Sequence, residues 1–270
     1  MVFRLPMLRA SRHVSNQHFF VAYAFIAKAA AVNTPKTAIL RGKAGRACQN
    51  CAPFSPAPYV MHIDLLLSLI EVAATIAFAL SGLIEATRKR MDIIGVLSVT
   101  FVSAFGGGTL RDVLLDRRPL FWVQHQEYVW LVLAMTLVAP LLLRAARHEI
   151  GDKLMEFADA LGLGLFTISG ASIALSAGMP PVIAILMGSL TAVFGGVSRD
   201  VLCNEIPKVF HDHRPYTMCT FIGCGIFLGL RELQLAPQLS TIFGIVSITG
   251  LRLLALAQHW HIPPWPPEKR

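Results

Sequence analysis

Charge is what this sequence has least of. Only 15% of its 270 residues are Asp, Glu, Lys or Arg, against roughly 25% in soluble domains. A soluble globule of this length lacks the interior to hide a 54% hydrophobic share. The mean hydropathy is correspondingly high, at +0.58. Cysteine is also scarce, with five in the chain, which excludes a disulfide scaffold. Acidic residues are missing altogether from residues 1–60, where eight Lys/Arg stand alone. Residues 61–270 carry 16 charges of each sign, so the net charge of +8 belongs to the N-terminal stretch. It gives no ground for nucleic-acid binding by the body of the protein. Walker loops, nucleophile elbows and HExxH motifs are absent from the sequence, so neither ATP-driven transport nor an enzyme is expected, and no cofactor is implied.

The first sixty residues stand apart. Their one apolar run, Phe19 to Val32, is interrupted by Lys28 and is short for a membrane span. The stretch reads as a signal segment, as a basic arm on the membrane surface, or as an upstream extension of the reading frame. The extension is favoured, with the start at Met61, just before the first full apolar segment. Cys48 and Cys51 have CxxC spacing but no second ligand pair. His211-Asp212-His213 likewise lacks a third ligand nearby, so no metal site is expected.

From Met61 onward the chain reads as an all-α integral membrane protein with seven transmembrane helices. The apolar segments run from about Ile63 to Glu85, Asp92 to Leu115, Tyr128 to Leu143, Leu154 to Ala177, Pro181 to Cys203, Tyr216 to Leu230 and Leu239 to His259. Lengths near 20 residues suit a hydrocarbon core of about 30 Å. Sliding the sequence against itself by 88 residues aligns it without a gap. Ser81-Gly82 falls on Ser169-Gly170, Gly107-Gly108 on Gly195-Gly196, and Arg111-Asp112-Val113-Leu114 on Arg199-Asp200-Val201-Leu202. Phe78 falls on Phe166, Tyr128 on Tyr216, and Glu71 on Asp159, an acid kept in kind. Each unit holds three helices, and an odd number reverses the next copy across the membrane. The expected organisation is an inverted repeat: a basic extension at 1–60, a first three-helix unit at 61–150, a second at 151–236, and a seventh helix with its tail at 237–270. Lys and Arg favour the loops that would be inside by 11 to 4, which places the N-terminus outside and the C-terminus in the cytoplasm.

The paired glycine runs are where chemistry is expected. Gly106, Gly107 and Gly108 interrupt the second segment, and Gly195 and Gly196 the fifth. Glycine weakens a helix by roughly 1 kcal/mol against alanine and permits an opened ladder, so both helices are expected to break there. A broken helix bares carbonyls on one half and N–H groups on the other, a cradle for small ions or zwitterions; the alternative is close helix packing. Arg111 and Arg199 follow the glycines. On helical geometry Asp112 and Asp200 point away from them, so one option is that the arginines pair with acids of the opposite repeat, either locking the fold or lining a pathway. Glu71 and Asp159 are intramembrane carboxylates, functional candidates or counter-ions to those arginines. Ser81 and Ser169 complete the candidate set. Arg252 is expected to snorkel from the seventh helix.

At this point the residues carry a resemblance. AFGGGTLRDVLLDRRPLFWV at 104–123 and VFGGVSRDVLCNEIPKVF at 193–210 resemble the bacterial membrane family with paired glycine-transporter domains. That family is similar in turn to the trimeric intracellular cation (TRIC) channels. The resemblance covers about residues 62–260. It implies a homotrimer in the bacterial inner (plasma) membrane, one pathway per subunit, and glycine-bearing helices whose basic residues line it. The function expected first is transport of glycine or a similar small amino acid. A monovalent-cation channel is the alternative, and a non-transporting membrane scaffold the second alternative. The partners expected are the small solute or ion, the lipid bilayer and further copies of the chain.

Overall fold

Residues 58–145, 148–211, 215–258 and 260 are described by a computed structural model. Residues 1–57 of the N-terminal extension, the CxxC pair among them, Asp212, His213 and the C-terminal tail lie outside the described residues. Nine helices are seen among the described residues: α1 (Pro58–Arg88), α2 (Ile93–Leu114), α3 (Phe121–Gln124), α4 (Gln126–Ala145), α5 (His148–Ser176), α6 (Pro181–Leu202), α7 (Lys208–His211), α8 (Tyr216–Glu232) and α9 (Pro237–Ala257). The seven long ones coincide with the seven apolar segments of the sequence to within a few residues. The short α3 and α7 follow α2 and α6 in the connecting loops.

Among the described residues, five stretches are long and apolar enough to cross a membrane: Leu65–Arg88, Ile93–Leu114, Lys153–Ser176, Pro181–Leu202 and Pro237–Ala257. Gln126–Val138 is a shorter apolar helix. Large apolar side chains such as Ile94, Trp130, Val182 and Val246 stand outward. A soluble monomer does not leave so many uncovered, whereas a bilayer covers them. Asp92 caps α2 by accepting the Gly95 N–H at 2.7 Å, and Pro181 begins α6 at a position where its missing N–H costs nothing.

The interior is organised around α5, the most enclosed of the apolar helices, which packs on α6, α1 and α9. Phe78 of α1 and Phe166 of α5, repeat-matched residues, stack at 5.6 Å. Tyr216, Phe227 and Ile248 extend that core toward α8 and α9. A second core gathers Phe105, Phe121, Tyr128 and Val132.

The helices do not break at the glycines. Both α2 and α6 run continuously through Gly106-Gly107-Gly108 and Gly195-Gly196. The glycines are there because two helices touch. A Cβ on Gly107 would collide with the carbonyl oxygen of Thr191, and one on Gly195 would lie 2.9 Å from that of Ser103. Residues 107 and 195, and 103 and 191, are repeat-matched, so α2 and α6 meet backbone to backbone at two equivalent points. Gly82 and Gly170 extend the close approach, with virtual Cβ atoms 2.8 Å from Ser103 and from Thr191. Contact at this range recovers more dispersion and shape fit than the helix loses in propensity.

This packing reverses what a substitution does. Gly107→Ala removes the α2–α6 contact and is expected to destabilise by about 1–3 kcal/mol, the usual cost of overpacking. Gly106→Ala is expected to be neutral or to stabilise by up to about 1 kcal/mol, because the nearest atom to its Cβ is 3.7 Å away. Thermal unfolding of the two purified variants in one detergent checks the contrast.

Candidate functional site

The arginines that follow the glycines are fully inside the protein. Arg111 is 0% exposed and Arg199 1%. A guanidinium has no neutral form at ordinary pH, so burial demands a carboxylate and further acceptors. Each arginine finds them in a matched quartet. Arg111 Nη1 donates to Glu71 Oε1 at 2.7 Å and to Ser169 Oγ at 3.4 Å, and its Nε donates to Asp112 Oδ1 at 2.8 Å. Arg199 Nη1 donates to Asp159 Oδ1 at 2.8 Å and to Ser81 Oγ, and its Nε donates to Asp200 Oδ1 at 2.9 Å.

Two expectations about these groups need correction. The acids come from the arginine's own repeat, Glu71 with Arg111 and Asp159 with Arg199. What crosses between the repeats is the serine, Ser169 to the first quartet and Ser81 to the second. Asp112 and Asp200 do pair with their own neighbours. The long arginine stem lets Nε fold back, a reach that Cβ directions alone do not capture. Each aspartate has a second task. Asp112 Oδ2 accepts the Phe121 N–H at 2.8 Å, and Asp200 Oδ2 accepts the Lys208 N–H at 3.0 Å. The short helices α3 and α7 are thereby tied to the ends of α2 and α6.

All the expected site residues but one lie on these quartets or pack beside them. Glu71, Arg111, Asp112 and Ser169 form one group, and Asp159, Arg199, Asp200 and Ser81 the other. Gly107 and Gly195 lie on the contact between α2 and α6, Gly108 faces the Phe121 ring, and Gly196 faces the Tyr216 hydroxyl and the second quartet. Gly106 is the exception, since no neighbour presses on it.

Sequence reading missed four residues. Phe121 fills the space over Gly108, and its ring lies 5.3 Å from the Arg111 guanidinium carbon. The matched position holds the smaller Val209. There a cavity remains, with about 10 Å³ open to a water centre, or room for about one water. Tyr216 reaches into that cavity, with its Oη 3.3 Å from where a Cβ on Gly196 would sit. Arg252 does not snorkel: it is 3% exposed and stacks 4.6 Å over the Tyr216 ring. Tyr216 was visible as a repeat match, but the asymmetry of Phe121 and Val209 was visible only as a mismatch with no meaning until the rings were placed.

Near the helix ends Lys89 pairs with Glu205. The hydrogen bond holds the Lys89 ammonium above its ordinary value and the Glu205 carboxyl below its own. Folding is therefore favoured by Glu205 above the carboxylate range and by Lys89 below the ammonium range, with both contributions present near neutral pH. Arg88 and Lys208 both approach the Met155 sulfur at 3.8 Å. These contacts join the α1–α2 connection, the start of α5 and the end of α6 on one face. Among the described residues, no group of three His, Cys, Asp or Glu is placed to hold a metal.

Removing one member of a buried pair leaves the other charge stranded. Arg111→Gln and Arg199→Gln are each expected to cost about 3–5 kcal/mol. The double variant Glu71→Gln/Arg111→Gln is expected to recover part of that loss, because the stranded charge goes too. Folded yield and thermal midpoints of the single and double variants check this.

Comparison with known proteins agrees with the repeat. The glycine transporter family model matches residues 68–144 and 156–232, two windows in the same 88-residue register. The UPF0126 inner membrane protein YadS of Escherichia coli (strain K12) is 32% identical over 199 residues, covering 74% of this chain and 96% of that protein. A UPF0126 membrane protein of Vibrio cholerae is 36% identical over 200 residues, 73% of this chain and 82% of the relative. Among solved structures, the TRIC trimeric intracellular cation channel orthologue from Rhodobacter sphaeroides superposes with a TM-score of 0.68 at 32% identity, over 72% of this chain and 99% of the channel. A prokaryotic TRIC channel solved in 0.5 M KCl gives 0.68 at 26% identity, over 74% and 100%. With a family model matched twice in tandem, and with relatives above 30% identity along nearly their whole length, the chain belongs to the glycine transporter (UPF0126) family of membrane proteins, which is TRIC-like in fold.

Proposed function

We propose that the protein conducts small monovalent cations through a pathway between two inverted three-helix repeats. The observation that carries this reading is the pair of matched quartets flanking the α2–α6 contact, in a fold shared with cation channels at 32% identity and a TM-score of 0.68. Fixed charges on both sides of a close helix contact provide the field an ion needs in a low-dielectric region. The cavity beside Tyr216 has room for about one water, a scale that suits an ion better than an amino acid. Transport of glycine or a similar small amino acid is the second reading, favoured by the family match at 68–144 and 156–232.

The same proposal includes the organisation read from sequence. Residues 61–150 and 151–236 are the two inverted units, 237–270 holds the seventh membrane helix and its tail, and the whole forms a homotrimer in the bacterial inner membrane. An outside N-terminus and a cytoplasmic C-terminus put the first, third and fifth connections on the cytoplasmic side. The pairing of Lys89 with Glu205 and the approach of Arg88 and Lys208 to Met155 support a shared face for them. With Arg111 and Arg199 buried rather than in loops, the lysine and arginine bias stands at ten to three for the same orientation.

Flux in proteoliposomes separates the readings. Potassium flux that rises nearly linearly with driving force, without saturable uptake of labelled glycine, is the expected outcome. Saturable glycine uptake without potassium flux selects the carrier. Absence of both in folded, reconstituted protein selects the scaffold.

A further inference from the structure

Three guanidiniums are buried among the described residues: Arg111, Arg199 and Arg252. Carboxylates meet the first two directly, whereas Arg252 forms no ion pair among the described residues. Its Nε and Nη1 have no hydrogen-bond partner. What it touches is an aromatic face, with its guanidinium carbon 4.6 Å over the Tyr216 ring. A cation–π contact returns less than two unmet charged donors cost, so stability does not explain this residue. A charge kept inside a membrane protein against its stability is a functional candidate.

The tyrosine leads to the second quartet. The Tyr216 hydroxyl donates to Asp159, the acid that also accepts from Arg199 at 2.8 Å. Tyr216 Oη and Asp159 Oδ1 stand together over Gly196, 3.3 and 3.6 Å from where its Cβ would be. Arg252 and Asp159 attract one another, so this carboxylate is the counter-charge that Arg252 reaches, by way of the tyrosine. The first half has no such arrangement. Its matched tyrosine, Tyr128, carries the His125 ring at 5.1 Å instead, and α9 lies outside the 88-residue repeat.

We propose that Arg252 is a positioning residue of the second quartet, which holds Tyr216 against Asp159 and shares that carboxylate with Arg199. Asp159 then answers two arginines, and its pull on a passing cation is weaker than that of a carboxylate with one partner. Arg252 thereby sets how strongly the second quartet attracts a cation, and the seventh helix becomes part of the site. The consequence for flux rests on the conduction reading; the shared counter-charge does not.

The test uses the full chain, with thermal midpoints in detergent and potassium flux per folded protein in proteoliposomes. Arg252→Gln is expected to keep or raise the midpoint, because it removes unmet donors, and to raise potassium flux at least about threefold. Arg252→Lys keeps the charge over the ring, and its flux is expected to stay within about twofold of wild type. A stability cycle reads the sharing without transport. Asp159→Asn strands both arginines in the wild type and only Arg199 in the Arg252→Gln background, so its cost is expected to be smaller there. If Asp159→Asn alone does not fold, recovery of folded yield in the double variant is the same cycle read in yield. Additive losses, or no recovery of yield, overturn the proposal. So does an Arg252→Gln flux that is unchanged or lower, or a midpoint that falls with it, which identifies a packing residue. A wild type that conducts no potassium fails the conduction reading, and the stability cycle then decides Arg252 by itself.

Discussion

A guanidinium buried among membrane helices has to be neutralised where it stands, and two of them set the layout of this protein. Arg111 and Arg199 have no neutral form to fall back on, unlike a buried lysine or carboxylate. Each is therefore met by an acid from the first helix of its own repeat, by the aspartate next to it in sequence, and by a serine from the other repeat. The acid and the aspartate settle the charge. The serine hydroxyls, Ser169 on the first quartet and Ser81 on the second, make each half incomplete without the other. The aspartates then reach onward to the N–H groups of Phe121 and Lys208, so the loops after α2 and α6 are held by the same charges.

The glycines serve this arrangement by a route different from the one their identity suggests. Two glycine runs in matched helices read as breaks, because glycine is the residue that permits one. The helices stay whole because the glycines face one another's partners: Gly107 lies on the Thr191 carbonyl and Gly195 on that of Ser103. Removing Cβ atoms brings α2 and α6 to backbone contact, and the two arginines follow within a turn on helices fixed at that distance. Packing and charge are thus two consequences of one crossing.

Symmetry in this chain is a property of the frame rather than of the filling. The quartets, the stacked Phe78 and Phe166 and the helix crossing all obey the 88-residue shift. Phe121 and Val209 do not, nor do Lys208 and Arg252. These differences leave one half filled by an aromatic ring and the other with a small cavity.

Much of this was written in the sequence. Seven apolar segments, the repeat, its three-helix unit and the family all follow from composition and self-similarity, because a membrane imposes length and apolarity segment by segment and a duplication leaves its register behind. The candidate residues were legible for the same reason: charge inside an apolar run is conspicuous. Their partners were not. That Arg111 takes Glu71 rather than an acid of the other half, that its Nε folds back to Asp112, and that Arg252 turns inward to Tyr216 are decided by side-chain reach and by where the helices are placed. Whether Gly107 breaks a helix or seats one against another is likewise undetermined by local propensity, since a gain of roughly 1 kcal/mol in either direction is outweighed by what the facing helix offers. The tertiary structure alone decided that, because the contact involves two helices that the sequence never places side by side.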